Sequence, residues 1–238
     1  MRNSTIRVAT FAGPAAEPVI RSVPWPQVPK NAALIQIGAC GVCGTDLHIL
    51  KGHWPKPLPW PFTLGHELGG VIVEKGGEFT EDFMGKTLGV GSKVMIPALM
   101  PCGQCYYCVH YPHQANKCLT PVYYGRYLGF DKPPHLWGGF AEYVYVDLDM
   151  LPGTKVYKLP DDMPLRLGAL SEPLTSCIRA YNRAAAMARM PIGPEPWITT
   201  VSPQVNPPAR TARLNARMHE VSGSDNAPSR SGMSSGSL

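Results

Sequence analysis

Four closely spaced cysteines constrain the fold of this chain more than any other feature of its sequence. Cys102, Cys105 and Cys108 follow the spacing C-x2-C-x2-C, and Cys118 comes after nine further residues. Four thiolates at such a spacing can converge on one tetrahedral zinc ion at about 2.3 Å, which leaves no coordination position open. We therefore predict a structural zinc site in a lobe at about residues 101–120. Two disulfides, or reduced thiols without a metal, are the alternatives.

The cellular setting supports a metal over disulfides. The chain has seven cysteines, and an odd number argues against a closed disulfide framework. No run approaches the roughly 18 apolar residues of a membrane helix, and the apolar run near the N-terminus is too short for a signal peptide. The net charge of +5 comes without a basic stripe. We therefore expect a cytoplasmic protein that binds neither membrane nor nucleic acid.

The apolar pattern predicts a mainly β fold. Short runs rich in Val, Ile and Tyr, bounded by Gly and Pro, are typical of strands, and they lie at 32–38, 69–77, 93–99 and 140–146. The two long connections between them, at about 41–64 and 101–138, are of the length that function or a metal usually explains. The first strong helical pattern is late, at 167–190, and it ends at Pro191. An all-β barrel or sandwich with one late helix follows.

The end of the chain differs in composition. Residues 201–238 contain no aromatic residue, and Ser, Gly and Pro occupy fifteen of these thirty-eight positions. Too little apolar surface is present to offset the entropy of ordering such a segment. We predict a folded domain at 1–185 and a disordered tail at 186–238. A short segment at 209–218 that folds on a partner is the alternative.

A second group of metal-binding residue types lies in the first long connection. GVCGTDLHI at 41–49 contains Cys43, and GHELGG at 65–70 contains His66. Both are good zinc ligands, while Glu67 and the more distant Glu172 can each offer an oxygen. Three protein ligands and one open position form the usual composition of a catalytic zinc site. A packed thiol and a hydrogen-bonded core histidine are the alternative.

These segments, taken together, carry a family resemblance. GVCGTDLHI, GHE, PCGQCYYC and GALSEPL are similar to the N-terminal catalytic domain of the zinc-dependent medium-chain alcohol and polyol dehydrogenases, in the same order over about residues 5–185. The resemblance implies a GroES-like β-barrel with one catalytic and one structural zinc. It implies that Cys43 and His66 bind the catalytic zinc, that Glu67 binds it or exchanges with water, and that Glu172 lies at the zinc directly or through its water.

The resemblance also implies a reaction. The family oxidises an alcohol or polyol to a carbonyl through an alkoxide on the zinc, with hydride transfer to NAD or NADP. Asp46 would accept a hydrogen bond from the zinc-bound histidine, and Thr45 and His48 would carry the hydroxyl proton to solvent. A hydroxyl both accepts and donates, and a histidine titrates near neutrality, so these residue types suit a relay. The alternatives are a helix N-cap for Thr45 and a surface position for His48.

The sequence departs from the family in two places. The gap between Cys108 and Cys118 is two residues longer than the usual seven. Residues 191–238 contain no G-x-G-x-x-G motif, which marks a dinucleotide-binding domain. We therefore expect a truncated chain that lacks this domain, binds no NAD(P) and does not turn over alone. Its oligomeric state and exact substrate stay open.

Two other functions are consistent with some of these residues. A zinc-stabilised structural or interaction module needs only the cysteine lobe, without catalysis. A thiol oxidoreductase would use Cys40 and Cys43, but no βαβ pattern surrounds them, so an unliganded Cys40 is favoured. Cys177 is predicted to pack as a small apolar residue in the late helix. The loop HWPKPLPWP at 53–61 either lines a substrate cleft or covers the barrel.

Overall fold

The computed structural model describes residues 4–151 and 156–187. Their strands are β1 Thr5–Thr10, β2 Val19–Pro24, β3 Ala32–Gly41, β4 Glu67–Lys75, β5 Lys93–Ile96, β6 Leu99–Met100, β7 Val122–Tyr123, β8 Tyr143–Asp147 and β9 Tyr157–Lys158. Their helices are α1 Gly44–Leu50, α2 Tyr106–His110 and α3 Leu165–Met187, with a 3-10 helix at Pro112–Lys117. The predicted mainly β fold with one long late helix is confirmed.

All strand pairings are antiparallel within the described residues. Five strands form the central sheet in the order β8-β3-β4-β5-β9, while β1 pairs with β2 and β6 with β7. Isolated bridges join Val8 to Ala141, and Phe62 to both Phe11 and Gly129. These bridges attach the first hairpin to the segments that flank the central sheet. The arrangement is a curved, barrel-like β-structure.

The four predicted strand segments all contain strands, but three details differ. The segment 93–99 is divided into β5 and β6 at Pro97, because proline has no N–H to donate to a ladder. The strands β1, β2, β7 and β9 were not among the predicted segments. β2 is exposed at all but one of its positions and lacks an apolar alternation, and β7 and β9 have only two residues each. Helices α1 and α2 were also missed. At seven and five residues they are too short for a helical period to show.

The hydrophobic core lies between the central sheet and the long second connection. Large aliphatic side chains of β3 and β4 and aromatic side chains of the later segments are fully buried in it, among them Leu34, Ile35, Leu68, Ile72, Tyr124 and Trp137. Full burial of each such apolar side chain stabilises the fold by about 1.5–3 kcal/mol. The buried Tyr124 hydroxyl donates a 2.6 Å hydrogen bond to the Tyr145 carbonyl, so its polar atom is satisfied. This core fixes the strand ends that carry the candidate site.

Helix α3 packs on β4 through its first turns. Gly69 of β4 leaves room for this approach, because a Cβ there would lie 3.0 Å from the Leu165 carbonyl oxygen and 3.1 Å from the Ala169 nitrogen. Residues up to Ile178 form one compact unit, and α3 continues beyond it to Met187. The predicted helix end at 190 and the tail from 188 onward lie outside the described residues. No described helix combines the length and the apolar character needed to cross a lipid bilayer.

The prediction that Cys177 is a packed thiol is wrong. Its side chain is exposed on α3, as are Leu170 and Ile178. The helix buries only Gly168 and Ala169 among its described residues, so the turn that carries Cys177 is left exposed. A helical apolar period predicts that one face of the helix is buried, but it does not show which turns of that face pack against another element.

One carboxylate outside the candidate site is expected to stabilise the fold in a pH-dependent way. Buried Asp82 accepts hydrogen bonds of 2.8 Å from the backbone N–H groups of Met84, Lys86 and Lys158. Burial alone would raise the pKa of Asp82, but these hydrogen bonds outweigh it and lower the pKa below its usual value. The lowered pKa stabilises the fold above the unfolded value of about 3.9 and stops doing so as the pH falls through the folded value.

We therefore expect Asp82→Asn to destabilise the chain by about 1–3 kcal/mol at neutral pH, because the amide NH2 faces a backbone donor. Denaturant unfolding at several pH values measures this, and the difference from wild type is expected to shrink below about pH 4. The exposed Asp162, changed to Asn, is the matched control. A neutral-pH effect no larger than that of the control would contradict the prediction.

Candidate metal centres

The four cysteines of the lobe converge as their spacing predicts. Their ligand atoms all lie within 4.8 Å of one another. The Cys105 sulfur is 3.5 Å from that of Cys108 and 4.0 Å from that of Cys118, and the Cys102 and Cys108 sulfurs are 3.9 Å apart. Four sulfurs at about 2.3 Å from a tetrahedral zinc would be about 3.8 Å apart. The longer gap before Cys118 contains the 3-10 helix at Pro112–Lys117 and does not prevent the convergence.

The local backbone is arranged for thiolates. The Cys102 N–H donates to the Cys118 sulfur at 3.2 Å, and the Cys105 N–H donates to the Cys102 sulfur at 3.3 Å. A hydrogen bond from the Thr120 side chain, aided by backbone donors, lowers the pKa of Cys102 to about 6. Burial and the neighbouring Cys105 raise the pKa of Cys108 to about 12. Four thiols so close cannot all ionise without a cation between them, and a divalent soft-metal ion suits this donor set.

The second group forms where β3 ends and β4 begins. The antiparallel register pairs Gly41 with Glu67, so the turn after β3 lies beside the start of β4. Cys43, two residues after Gly41, is the N-cap of α1, and His66 directly precedes β4. The ligand atoms of Cys43, His66 and Glu67 lie within 4.8 Å of one another. Strand pairing therefore brings together residues that are 23 positions apart in the sequence.

Asp46 connects the two halves of this group. It is 1% exposed, and its Oδ2 accepts a 2.9 Å hydrogen bond from the Cys43 N–H. Its Oδ1 accepts a 3.4 Å hydrogen bond from the Gly65 N–H and lies 3.5 Å from Nδ1 of His66. One buried carboxylate thus holds the backbone beside both Cys43 and His66. This is the position from which it would orient the imidazole.

Glu172 lies near this group but outside the set of ligand atoms that meet within 4.8 Å. It is three residues after Ala169, on the face of α3 that packs on β4. Burial raises the pKa of the Glu172 carboxyl, and Glu67 raises it further, while His66 and Arg126 oppose the shift. Glu172 therefore lies near the group without belonging to the set of ligand atoms that meet. Ligation of a metal by Glu172, directly or through a bound water, stays a prediction.

Thr45 and His48 both lie on α1, three residues apart and therefore on neighbouring positions of one helix face. Thr45 is half-buried, and His48 is exposed to solvent. The alternative of Thr45 as the helix N-cap is wrong, because Cys43 occupies that position. A half-buried hydroxyl followed by an exposed imidazole has the order that a proton path to solvent needs. The relay itself stays a prediction.

Cys40 belongs to neither group of ligand atoms among the described residues. Its sulfur packs so closely against Gly65 and Gly139 that neither position has space for a side chain. Burial raises the pKa of the Cys40 thiol to about 12, so it stays protonated at neutral pH. A thiol with such a pKa is a poor nucleophile. The geometry thus argues against a redox pair with Cys43.

Three buried polar atoms of the described residues have no hydrogen-bond partner: Nδ1 of His66, Nε1 of Trp54 and Nε of Arg126. His66 was predicted from the sequence, and the loop that holds Trp54 was a candidate cleft wall. Arg126 was missed, because a single arginine in a loop has no spacing or pattern that marks it. An unpartnered buried donor is uncommon and calls for an explanation.

The fold is an antiparallel β-barrel with two groups of candidate metal ligands. One group has four thiols, and the other has a thiol, an imidazole and a carboxylate. These features are those of a metal-binding β-barrel domain. The pattern of the alcohol dehydrogenase GroES-like domain matches residues 29–161. The chain belongs to this family, and the predicted GroES-like fold is confirmed.

The relatives of the chain are larger proteins. The chain is 30% identical to an uncharacterized zinc-type alcohol dehydrogenase-like protein of Haemophilus influenzae. The match extends over 165 residues, which are 69% of this chain and 42% of the relative. The chain is 35% identical to an alcohol dehydrogenase of Geobacillus stearothermophilus over 60% of this chain and 37% of the relative. An L-threonine 3-dehydrogenase of Bacillus velezensis is 29% identical over 71% of this chain and 43% of its own length.

A solved structure gives the same result. A Sinorhizobium meliloti protein described as a zinc-binding dehydrogenase, bound to NADP, superposes with a TM-score of 0.60 and 27% identity, over 76% of this chain and 46% of that chain. The chain thus spans less than half the length of the relatives that it matches.

Proposed function

We propose that this chain is the catalytic domain of a zinc-dependent dehydrogenase that oxidises an alcohol or polyol to a carbonyl, with NAD or NADP as the hydride acceptor. The observation that carries the proposal is the meeting of Cys43, His66 and Glu67 within 4.8 Å, apart from the four-thiol lobe. A structural module needs the lobe alone. The names of the relatives, zinc-type and alcohol dehydrogenases, and the NADP bound by a structural neighbour support the proposal.

The residues present suit one zinc in each group. Cys43, His66 and Glu67 would hold the catalytic ion, and the four lobe cysteines would hold the structural ion. The unpartnered Nδ1 of His66 faces Asp46, which leaves Nε2 of the same ring for a metal. A zinc with an open coordination position lowers the pKa of a bound hydroxyl and makes an alcohol reactive at neutral pH.

The residues around the group would then divide the remaining work. Asp46 orients the His66 ring and raises its basicity. Thr45 accepts the proton of the substrate hydroxyl while it donates its own, and the exposed His48 passes that proton to solvent. Glu172, whose pKa is raised, holds a proton more readily than an ordinary carboxylate and lies beside Glu67. It is suited to exchanging a water or proton with the metal group.

We propose that the nicotinamide is held outside the described β-structure. All pairings among the described strands are antiparallel, so this part of the chain has no βαβ unit to bind a pyrophosphate. Positioning of the reactants contributes about 7–11 kcal/mol to such reactions. We infer that the 238-residue chain, mixed with an alcohol and NAD or NADP, produces no measurable reduced nicotinamide.

Cobalt substitution tests the proposed function without requiring turnover. The chain loaded with two Co²⁺ ions is expected to show thiolate-to-cobalt absorption from both groups. An added small alcohol should shift only the bands that Cys43→Ala removes, because only that group keeps an open position. The four-thiol bands act as the internal control. Bands that do not respond to any alcohol, or the absence of a second cobalt, would favour a non-catalytic zinc-stabilised module.

A further inference from the structure

Two of the three unpartnered buried atoms belong to side chains that are not candidate metal ligands. These are Nε of Arg126 and Nε1 of Trp54. Both are N–H donors that cannot act as acceptors. A buried donor that lacks a partner costs stability, so natural proteins seldom keep one without a use. The two side chains are neighbours, because the guanidinium carbon of Arg126 lies over the Trp54 ring, and both donors are free to bind an acceptor.

The arginine is held in a fixed orientation. Its guanidinium carbon lies 4.5 Å from the ring centre of Tyr123 and 5.4 Å from that of Trp54. Two aromatic rings around a guanidinium hold its plane and keep its donors directed along that plane. No described carboxylate lies within ion-pair distance of Arg126. The cation therefore packs against two aromatic rings and forms no ion pair with a described carboxylate.

The arginine lies beside the candidate catalytic group. Gly125, with φ of +71°, lies close to the backbone of Gly65. A Cβ on Gly125 would be only 2.6 Å from the Gly65 carbonyl oxygen. Arg126 directly follows Gly125, and Gly65 directly precedes His66. The contact between these two glycines therefore brings the backbone at Arg126 close to the backbone at the candidate ligand His66. The carboxyl of Glu172 also lies within electrostatic range of both His66 and Arg126. Trp54 comes four residues after α1, the helix that holds Asp46.

The chemistry of these donors defines the missing partner. A planar guanidinium presents parallel N–H groups that match the oxygens of a carboxylate or a phosphate. The indole N–H of the neighbouring Trp54 is a further donor without a partner. Anionic oxygens offer several acceptor sites and also carry the charge for an ion pair, which Arg126 does not form with any described carboxylate. A neutral hydroxyl would satisfy one donor and leave the charge unpaired.

We propose that Arg126 and Trp54 form an oxyanion-binding subsite beside the Cys43–His66–Glu67 group, and that the alcohol oxidised there carries a carboxylate or a phosphate. The inference rests on the proposed function for its statement about the substrate. The subsite itself depends only on the residues that form it.

Binding of matched probes to the zinc-loaded 238-residue chain tests this proposal by calorimetry. The probes are 3-hydroxybutyrate with butane-1,3-diol, and glycerol 1-phosphate with glycerol, so that each anion has a neutral partner of similar shape. We expect one anion to bind about 10-fold to 100-fold more tightly than its neutral partner, as a charge-assisted hydrogen bond would give. The pair with the larger ratio identifies the carboxylate or the phosphate as the preferred group.

The variants separate the roles of the two side chains. Arg126→Met is expected to abolish the preference for the anion and leave the neutral partner unaffected, whereas Arg126→Lys keeps part of it. Trp54→Phe removes only the N–H and should weaken the anion about 5-fold to 10-fold. Arg183→Met, at an exposed position of α3, is the control for loss of an arginine. Circular dichroism verifies that each variant is folded.

Two results would overturn the proposal. The first is equal binding of the anion and its neutral partner by wild type. The second is equal weakening of both probes in Arg126→Met, which would make Arg126 only a positioning residue for Glu172. Zinc content measured on the same samples keeps the two proposals distinct. Two zinc ions without anion preference would refute the subsite alone. Anion preference in a chain that binds no zinc at Cys43 would refute the proposed catalytic metal and leave the subsite standing.

Discussion

Replacement of Cys105 by serine is expected to remove one metal ion from the chain and to unfold the lobe at about residues 101–120. The lobe has almost no core of its own, since helix α2 buries none of its residues and Tyr106, Val109 and Leu119 are exposed. In small domains of this kind, metal binding supplies the folding free energy, about 10–16 kcal/mol for zinc-finger peptides. Loss of a direct ligand should weaken the site by more than the roughly 10-fold to 100-fold that a supporting residue costs.

Metal analysis and limited proteolysis measure this result. Wild type should contain two zinc ions per chain, and the Cys105→Ser variant should contain one. Chymotrypsin should cut the variant rapidly after Tyr106 or Tyr107, while the central sheet stays intact. Cys177→Ala, at an exposed thiol, is the matched control and should keep both ions and the wild-type digestion pattern. Two tightly held ions in Cys105→Ser would show that the lobe does not bind zinc through its four thiols.

Replacement of Cys43 by alanine is expected to remove the other ion and leave the fold largely unchanged. The side chain is half-buried and small, and α1 keeps its cap because Asp46 accepts from the Cys43 backbone N–H. The zinc content should fall from two to one, with the lobe ion retained. Asp46→Asn should lie between wild type and this variant, with an affinity for the second ion reduced about 10-fold to 100-fold.

Cys40→Ala provides a sharp control for Cys43→Ala. The two cysteines are three residues apart, yet only Cys43 belongs to the group with His66 and Glu67. We expect Cys40→Ala to keep both ions, although loss of its packing against Gly65 and Gly139 should lower the stability. Retention of two ions in Cys43→Ala would remove the basis of the proposed function. Loss of the second ion in both variants would mean that Cys40 supports the site through the position of Gly65.

The strand segments and the late helix could be predicted because they depend on the local apolar pattern. The short helices α1 and α2 could not, since seven and five residues are too few for a helical apolar period to show. The exposure of Cys177 was missed for a related reason. A helical period shows that one face is apolar, and only the packing of α3 on β4 shows which turns of that face are covered.

The cysteine spacing was enough to predict the lobe, and the residue types were enough to predict the kinds of metal ligand. Four cysteines in seventeen residues must lie near one another because the chain connecting them is short. The family resemblance implied that Cys43, His66 and Glu67 meet, but only the folded chain showed that Glu172 lies outside this set of ligand atoms and that Arg126 lies next to Trp54 and Tyr123. A chain segment keeps two residues close in space only when few residues separate them. Over longer separations, the register of β3 on β4 and the packing of loops and α3 around them decide what each side chain faces.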